Sequence, residues 1–204
     1  SSGSLVSMQI SSRAALWVAQ LFNQAYPRSP DFLLGTIAKM NSPRWKPSVT
    51  VAAIIERGGR FLLVEEQTPE GLRLNNPAGH LDEGESPLQA AVRECLEETA
   101  CVFTPQALLG VYQSRFQRPA RDGHAAEDVT YLRFAYSGTV GEAQPGRALD
   151  EPIVRTLWLT ADEVRASAAL HRSPLVLQCI EDHLAGRRER LDLVQVDPSV
   201  YRPG

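Results

Sequence analysis

Pro77-Ala78-Gly79-His80-Leu81-Asp82-Glu83-Gly84-Glu85-Ser86-Pro87-Leu88-Gln89-Ala90-Ala91-Val92-Arg93-Glu94-Cys95-Leu96-Glu97-Glu98-Thr99-Ala100-Cys101 decides the reading of this 204-residue chain. Ser86 stands where a helix N-cap would, Pro87 at the first helical position, and Gln89 three residues past the cap. That is a capping box with the favoured proline, and it predicts a helix over 87–98. At about 100° per residue, Leu88, Val92, Cys95 and Thr99 form one stripe, which predicts the core face. Glu94, Glu97 and Glu98 are spaced i, i+3 and i+4 and share the other side. Like charges at that spacing repel by a few tenths of a kcal/mol per pair, roughly, even when exposed. Alone, three glutamates describe a solvated acidic face. Clustered hard oxygens also suit Mg²⁺ or Mn²⁺, which keep few protein carboxylates, several waters and substrate phosphates. The loop before the helix favours the second reading. Gly79 and Gly84 flank a turn aimed at the helix start, and Glu85 and Arg93 are placed to lock loop to helix by a charge-assisted pair.

Upstream, Val49-Thr50-Val51-Ala52-Ala53-Ile54-Ile55 and Phe61-Leu62-Leu63-Val64-Glu65-Glu66 read as two strands joined through Gly58-Gly59, a hairpin. Gln67 to Asn76 reads as a polar loop. Downstream, strands are predicted near Leu108–Ser114, Val129–Tyr136 and Ile153–Leu159, with Gln117–Asp128 as a long binding loop. Thr160 with Glu163 makes a second capping box, and Ser173-Pro174 opens a further helix with Leu175, Leu177, Cys179, Ile180 and Leu184 as its docking residues. Strands interleaved with helices in this order predict an α/β (α+β) fold, a mixed sheet covered by helices. Residues 1–47 read as an N-terminal extension, a tag remnant at Ser1-Ser2-Gly3-Ser4 followed by a helix around Ala14–Phe22. The main domain is expected over 48–196 and a tail over 197–204.

Composition narrows the function. Hydrophobic residues make up 43% and charged residues 22%, which excludes a disordered chain, and no apolar run is long enough to cross a membrane. The net charge of −3 excludes an electrostatic nucleic-acid binder. It is uneven: residues 1–48 hold five basic residues and one acid, net +4, which leaves −7 for the rest. Three cysteines are too few for a disulfide framework and fit a reducing, cytoplasmic compartment.

Gly79, Glu85 and the run Arg93-Glu94-Cys95-Leu96-Glu97-Glu98-Thr99-Ala100-Cys101 resemble the Nudix box, the signature of Nudix hydrolases, at every spacing. The departure is Ala100, where the family pattern has glycine. The resemblance covers about residues 46–195. Pro77-Ala78-Gly79-His80-Leu81 and Arg172-Ser173-Pro174-Leu175-Val176 are similar to the small bacterial Nudix phosphatases of the NudJ type. Those act on nucleoside tri- and diphosphates and on hydroxymethylpyrimidine pyrophosphate. Leu74 stands where that subgroup tends to carry tryptophan.

The resemblance implies a Nudix-type α/β/α sandwich and metal-assisted hydrolysis of a diphosphate linkage, with Mg²⁺ or Mn²⁺ as cofactor. It implies Glu94, Glu97 and Glu98 as metal ligands, with a carbonyl near Ala78 or Gly79 completing the shell. Glu97 or Glu98 would take the proton of the attacking water, and Gly79, Glu85 and Arg93 would position loop and helix. His80, Arg115, Arg133 and Arg172 are the candidate substrate contacts. Glu127, Asp128, Asp150 or Glu151 would supply a further carboxylate. The expected partner is a small phosphorylated substrate, with no nucleic acid and no membrane, handled by a monomer or homodimer. Two alternatives stand beside this one: a pyrophosphohydrolase releasing nucleoside monophosphate and pyrophosphate, and a non-catalytic nucleotide-binding regulator.

Overall fold

β1 (Ser48–Arg57) turns through Gly58 and Gly59, both at positive φ, into β2 (Arg60–Thr68). The computed structural model describes residues 44–120 and 125–201. The expected helix around Ala14–Phe22 and nearly all of the expected N-terminal extension lie outside them. β3 (Gly71–Asn75) and β4 (Ala78–His80) precede the first helix, α1 (Pro87–Thr99). β5 (Phe103–Arg118) and β6 (Glu127–Val140) form a long hairpin, and β7 (Ile153–Thr160) leads into α2 (Ala161–Ala166) and α3 (Leu175–Leu184).

The sheet runs β3-β2-β1-β6-β5, with β4 added to β1 and β7 to β2. β1 and β6 are parallel, and the other pairs are antiparallel. This is the mixed sheet the element order predicts. Strand alternation splits the apolar residues between two faces. Val51, Ala53, Ile55 and Leu62 pack with Ala90, Ala91 and Cys95 of α1, whereas Ala52, Ile54, Phe61 and Leu63 pack with Val164 of α2 and Val176, Cys179 and Ile180 of α3. The result is an α/β/α sandwich. β1 is buried on both faces, which is why it reads as a continuous β-branched run rather than an alternating one.

Three expectations need correction. The segment Gln67–Asn76 is not a loop. Thr68 Oγ1 accepts from Glu70 N at 3.2 Å and donates to Gly71 O at 2.7 Å, and the chain returns as β3 along β2. The loop expected over Gln117–Asp128 is shortened at both ends, because strand pairing continues out to Arg118 opposite Glu127. Those positions are polar on both faces, so they carry no period-two signal. In α3 the buried apolar residues are Val176, Cys179 and Ile180, an i, i+3, i+4 set, while Leu184 is exposed.

Both capping boxes form. Ser86 Oγ accepts from Gln89 N while Gln89 Oε1 accepts from Ser86 N, and Thr160 and Glu163 repeat the exchange at α2. At its other end α1 stops on Ala100, at φ 58° and ψ 12°, the left-handed conformation glycine favours. Thr99 Oγ1 supports the stop by donating to Cys95 O and accepting from Cys101 N. A left-handed alanine costs roughly 1–2 kcal/mol. Changing it to glycine recovers that cost but removes a buried methyl, about 0.8 kcal/mol, and loosens the unfolded chain by about 0.4–1 kcal/mol. Ala100→Gly is therefore expected within about 1 kcal/mol of the parent. Ala100→Val, β-branched at positive φ, is expected to lose more than about 2 kcal/mol, seen as a drop of more than about 4 °C in melting temperature. Equal melting temperatures for the two variants would contradict this account.

Candidate active site

The Arg93 guanidinium ties the loop to the helix. Its Nε and Nη2 donate to Glu85 Oε2 and Oε1 at 3.1 and 2.7 Å, a bidentate pair. Nη2 also reaches His80 O at 2.9 Å, and Nη1 donates to Glu94 Oε1 at 2.8 Å and Glu97 Oε2 at 2.9 Å. Glu85 is further fixed by Asp82 N at 2.9 Å, and Arg93 holds its carboxyl below the usual range. The loop-to-helix pair expected from spacing is thus present, and Arg93 also holds two of the three glutamates.

Gly79 explains how Glu94 fits. A Cβ on Gly79 would lie 2.1 Å from Glu94 Cδ and Oε1, so the carboxyl occupies the space that glycine leaves. Glu98 sits deeper. It is buried, and its Oε2 accepts from Ala78 N at 2.8 Å. This corrects the simple two-sided helix: Glu98 lies against β4 rather than on a solvated face, and Ala90 and Ala91 join Cys95 in the core. Burial pushes the Glu98 carboxyl up to about 8. Ala78 N–H opposes that, and the charges of Glu94, Glu66 and Asp150 reinforce it. Burial also raises Glu94, with Arg93 opposing.

Among the described residues, no three acidic, His or Cys side chains converge as a finished metal cluster. The cause is visible: Arg93 lies between Glu94 and Glu97, and Glu98 is turned to Ala78 N. The donor set still suits a divalent cation. Three hard carboxylates share one helix face, two are raised by desolvation, and the glycine cradle leaves the Glu94 carboxyl room. Of the further carboxylates considered, Asp150 is the one brought to the glutamates: its N–H donates to Glu97 O at 3.1 Å, and its charge acts on Glu98. Asp128 pairs with Arg115 and Glu127 with Arg118.

Beside β4 lies a cavity of about 390 Å³. Ala78, Gly79 and His80 form the wall it shares with the glutamates, and His80 sets its ring 6.4 Å from that of Tyr131. Arg133 and Arg172 line it as well. Arg133 is buried on β6, while Arg172 is half-exposed, 3.5 Å from Glu66 and 3.9 Å from Glu70. Arg115 is not brought to this cavity. Ser114, Phe116 and Arg118 of β5 face it, so strand alternation turns Arg115 to the opposite side, where its Nε donates to Asp128 at 2.7 Å. Arg118 takes the place expected of Arg115, paired to Glu70 at 2.9 Å and Glu127 at 2.8 Å. The sequence reading also missed Thr50, Glu66 and Asn75, which line the cavity. Glu66 alone left a trace, as the second of two adjacent acids at the end of an apolar run. Leu74 is core.

The capped helix, its glutamates and the cavity on a mixed α/β/α sheet define a hydrolase of pyrophosphate bonds. The NUDIX domain family matches residues 44–179, and the chain belongs to that family. It is similar to the phosphatase NudJ of Escherichia coli K12, with 33% identity over 150 residues that cover 74% of this chain and 92% of the relative. The Shigella flexneri phosphatase NudJ matches to the same extent. A solved NUDIX hydrolase from Nitrosomonas europaea superposes with a TM-score of 0.66 at 49% identity, covering 74% of this chain and 98% of that one. A UDP-X diphosphatase shares the fold at a TM-score of 0.53 and 18% identity, over 87% of this chain and 82% of that one.

Two outcomes follow from this geometry. Gly79→Ala meets only the end of a flexible side chain, so stability is expected to change by less than about 1 kcal/mol. Hydrolysis is expected to fall at least about tenfold because Glu94 is displaced. Melting curves beside turnover check both. For Glu98, the unfolded chain carries the carboxyl near 4.5 and the folded one near about 8, so folding takes up a proton between them. The metal-free fold therefore loses stability as pH rises through that window. Glu98→Gln lacks the proton, so its melting temperature should gain on the parent's from about pH 4.5 to about pH 8. Parallel profiles would exclude Glu98 as the source.

Proposed function

We propose that the chain hydrolyses a phosphoanhydride bond of a nucleoside tri- or diphosphate, or of a similar small organic pyrophosphate such as hydroxymethylpyrimidine pyrophosphate, with Mg²⁺ or Mn²⁺. The observation that carries this is that Glu94 and Glu98 lie against β4, whose residues also line a cavity sized for a small molecule, with Glu97 tied to Glu94 through Arg93. The Nudix family in general relies on divalent metal ions. Here Glu94, Glu97 and Glu98 would hold the ion, which supplies charge neutralisation on the phosphate oxygens and a more acidic water. To hold it, Glu94 and Glu97 would release Arg93 and Glu98 would release Ala78 N, with Glu98 in its carboxylate form. Arg93 keeps Glu85 and His80 O throughout, so loop and helix stay in register. Glu97 or Glu98 takes the proton of the attacking water.

The surroundings suit a charged substrate. The main unit is acidic, so a polyphosphate approaches favourably only once cations are counted, and the metal is the natural source of attraction. The cysteines of the described residues, Cys95, Cys101 and Cys179, are free and buried, in keeping with the reducing, cytoplasmic compartment expected. No helix among the described residues is long and apolar enough to cross a membrane.

Purified protein is expected to release phosphate from a nucleotide panel with Mg²⁺ or Mn²⁺ and to stop on chelation. Glu97→Gln and Glu98→Gln are each expected to lower turnover at least about 10²-fold with the fold intact by circular dichroism. Full activity in both variants would overturn the assignment. Release of pyrophosphate with nucleoside monophosphate would favour the pyrophosphohydrolase alternative, and tight nucleotide binding without turnover the regulator.

A further inference from the structure

Arg133 is the buried charge that the glutamate chemistry leaves unexplained. It is 8% exposed, and its Nε and Nη1 have no hydrogen-bond partner. An unpaired buried guanidinium is expensive, and proteins keep one where something else completes it. Four other buried atoms that line the same cavity also lack hydrogen-bond partners: Thr50 Oγ1, Glu66 Oε1, Asn75 Oδ1 and Ser173 Oγ, with Glu66 Oε1 facing only the Arg172 Nε at 3.5 Å. The sheet brings the first three together. Thr50 is in register with Arg133 of β6 on one side and with His80 of β4 on the other. β2 supplies Glu66, and β3 supplies Asn75.

The sign and type of these groups select the occupant. Arg133 offers only donors, while Glu66 and the Asn75 carbonyl offer acceptors. A phosphate would complete Arg133 but bring its negative charge against Glu66, whose carboxylate acts on Arg133 together with that of Glu98. A neutral ring with acceptors on one edge and an amino group beside them completes both kinds at once. The walls match such a ring, since Tyr131, His80 and Phe116 border the same cavity. Placement agrees. Arg133 and Thr50 share strand parity with Ala135 and Ala52, which pack toward α3, whereas the glutamates belong to α1 on the other face of the sheet. A substrate whose diphosphate lies at the glutamates puts its organic end here.

Resting on the hydrolase reading above, we propose that Arg133, with Glu66 and Asn75, selects the organic head of the substrate and does not clamp a phosphate. That head is a planar nitrogen heterocycle bearing ring or oxo acceptors next to an amino donor. Arg133 is then a specificity-determining residue.

The test compares a nucleoside diphosphate with methyl diphosphate, which lacks the ring, on the parent and on Arg133→Gln. The ratio of kcat/KM values is expected to fall at least tenfold in the variant, through KM, with circular dichroism unchanged. A phosphate clamp would depress both substrates in proportion, and an unmoved ratio overturns the proposal. Phe116→Ala, at an exposed edge, is a second variant that cannot fail by unfolding the core, and it should shift the ratio the same way. Metal-free calorimetry with phosphate-free nucleosides and aminopyrimidines separates the two readings. Ring binding that Arg133→Gln weakens at least tenfold supports the head-group site even if no diphosphate is hydrolysed, in which case the catalytic reading alone falls. No binding of any ring to the parent overturns the head-group site even if hydrolysis is robust.

Discussion

One guanidinium holds the glutamate face of α1 in shape. Arg93 meets Glu85, Glu94, Glu97 and a carbonyl of the preceding loop, and its side chain and those carboxylates are all 30% exposed or less. An exposed pair contributes only about 0–1 kcal/mol and is screened by salt. A partly buried fork with a bidentate carboxylate differs because its geometry is fixed, and lysine could not reproduce five donors in a plane. The consequence reaches beyond stability. Three glutamates on one helix face repel, and Arg93 offsets the charge of two of them. The same guanidinium carries the loop and so holds β4 and its glycine against the helix.

That arrangement sets a limit on Glu98. It receives nothing from Arg93 and has only the Ala78 N–H, so desolvation dominates and its carboxyl rises to about 8. Glu94, beside it in sequence space by one helical turn, is raised too, against the opposing pull of Arg93. The site is thus graded from a partly exposed, paired Glu97 to a buried, nearly unpaired Glu98. Carboxylates held in this state have most to gain from a divalent ion, because the ion replaces a desolvation cost with coordination.

The glutamate-bearing helix and the loop before it were legible in the sequence because they are local. A capping box, a glycine and a helix period act within 25 residues, and each has a physical signature that survives without tertiary context. The double burial of β1 was legible for the same reason. What was not legible depended on strand parity and on pairing at a distance. Arg115 and Arg118 are three residues apart in a polar stretch with no apolar face to set the register, so only the cross-strand partners Asp128 and Glu127 decide which arginine faces the cavity. Glu66, Asn75 and Thr50 come from three strands and meet only when the sheet forms. Ala100 is the converse case. The helix stops where the pattern puts a glycine, with alanine in a left-handed conformation, because the hydrogen bonds of Thr99 and the return of Gln144 N to Ala100 O determine the stop more strongly than the residue's own preference.

The sheet therefore separates two tasks. The proposed chemistry belongs to α1 and β4, where the glutamates, Arg93 and Gly79 are constrained by neighbours within a helical turn or a tight loop. The cavity belongs to strands β1, β2, β3, β5 and β6 and to the turn into α3, where each position contributes one side chain on an otherwise independent backbone. β4 joins the two with three residues, one of which must be glycine to admit Glu94. A change among the strand residues of the cavity can leave Arg93 and the glutamates untouched. A change in β4 cannot, because Ala78 N and the space over Gly79 belong to Glu98 and Glu94. On the proposed reading the glutamate unit is recorded by a local motif, whereas the residues that would discriminate between substrates are scattered across the strands, where no local motif records them.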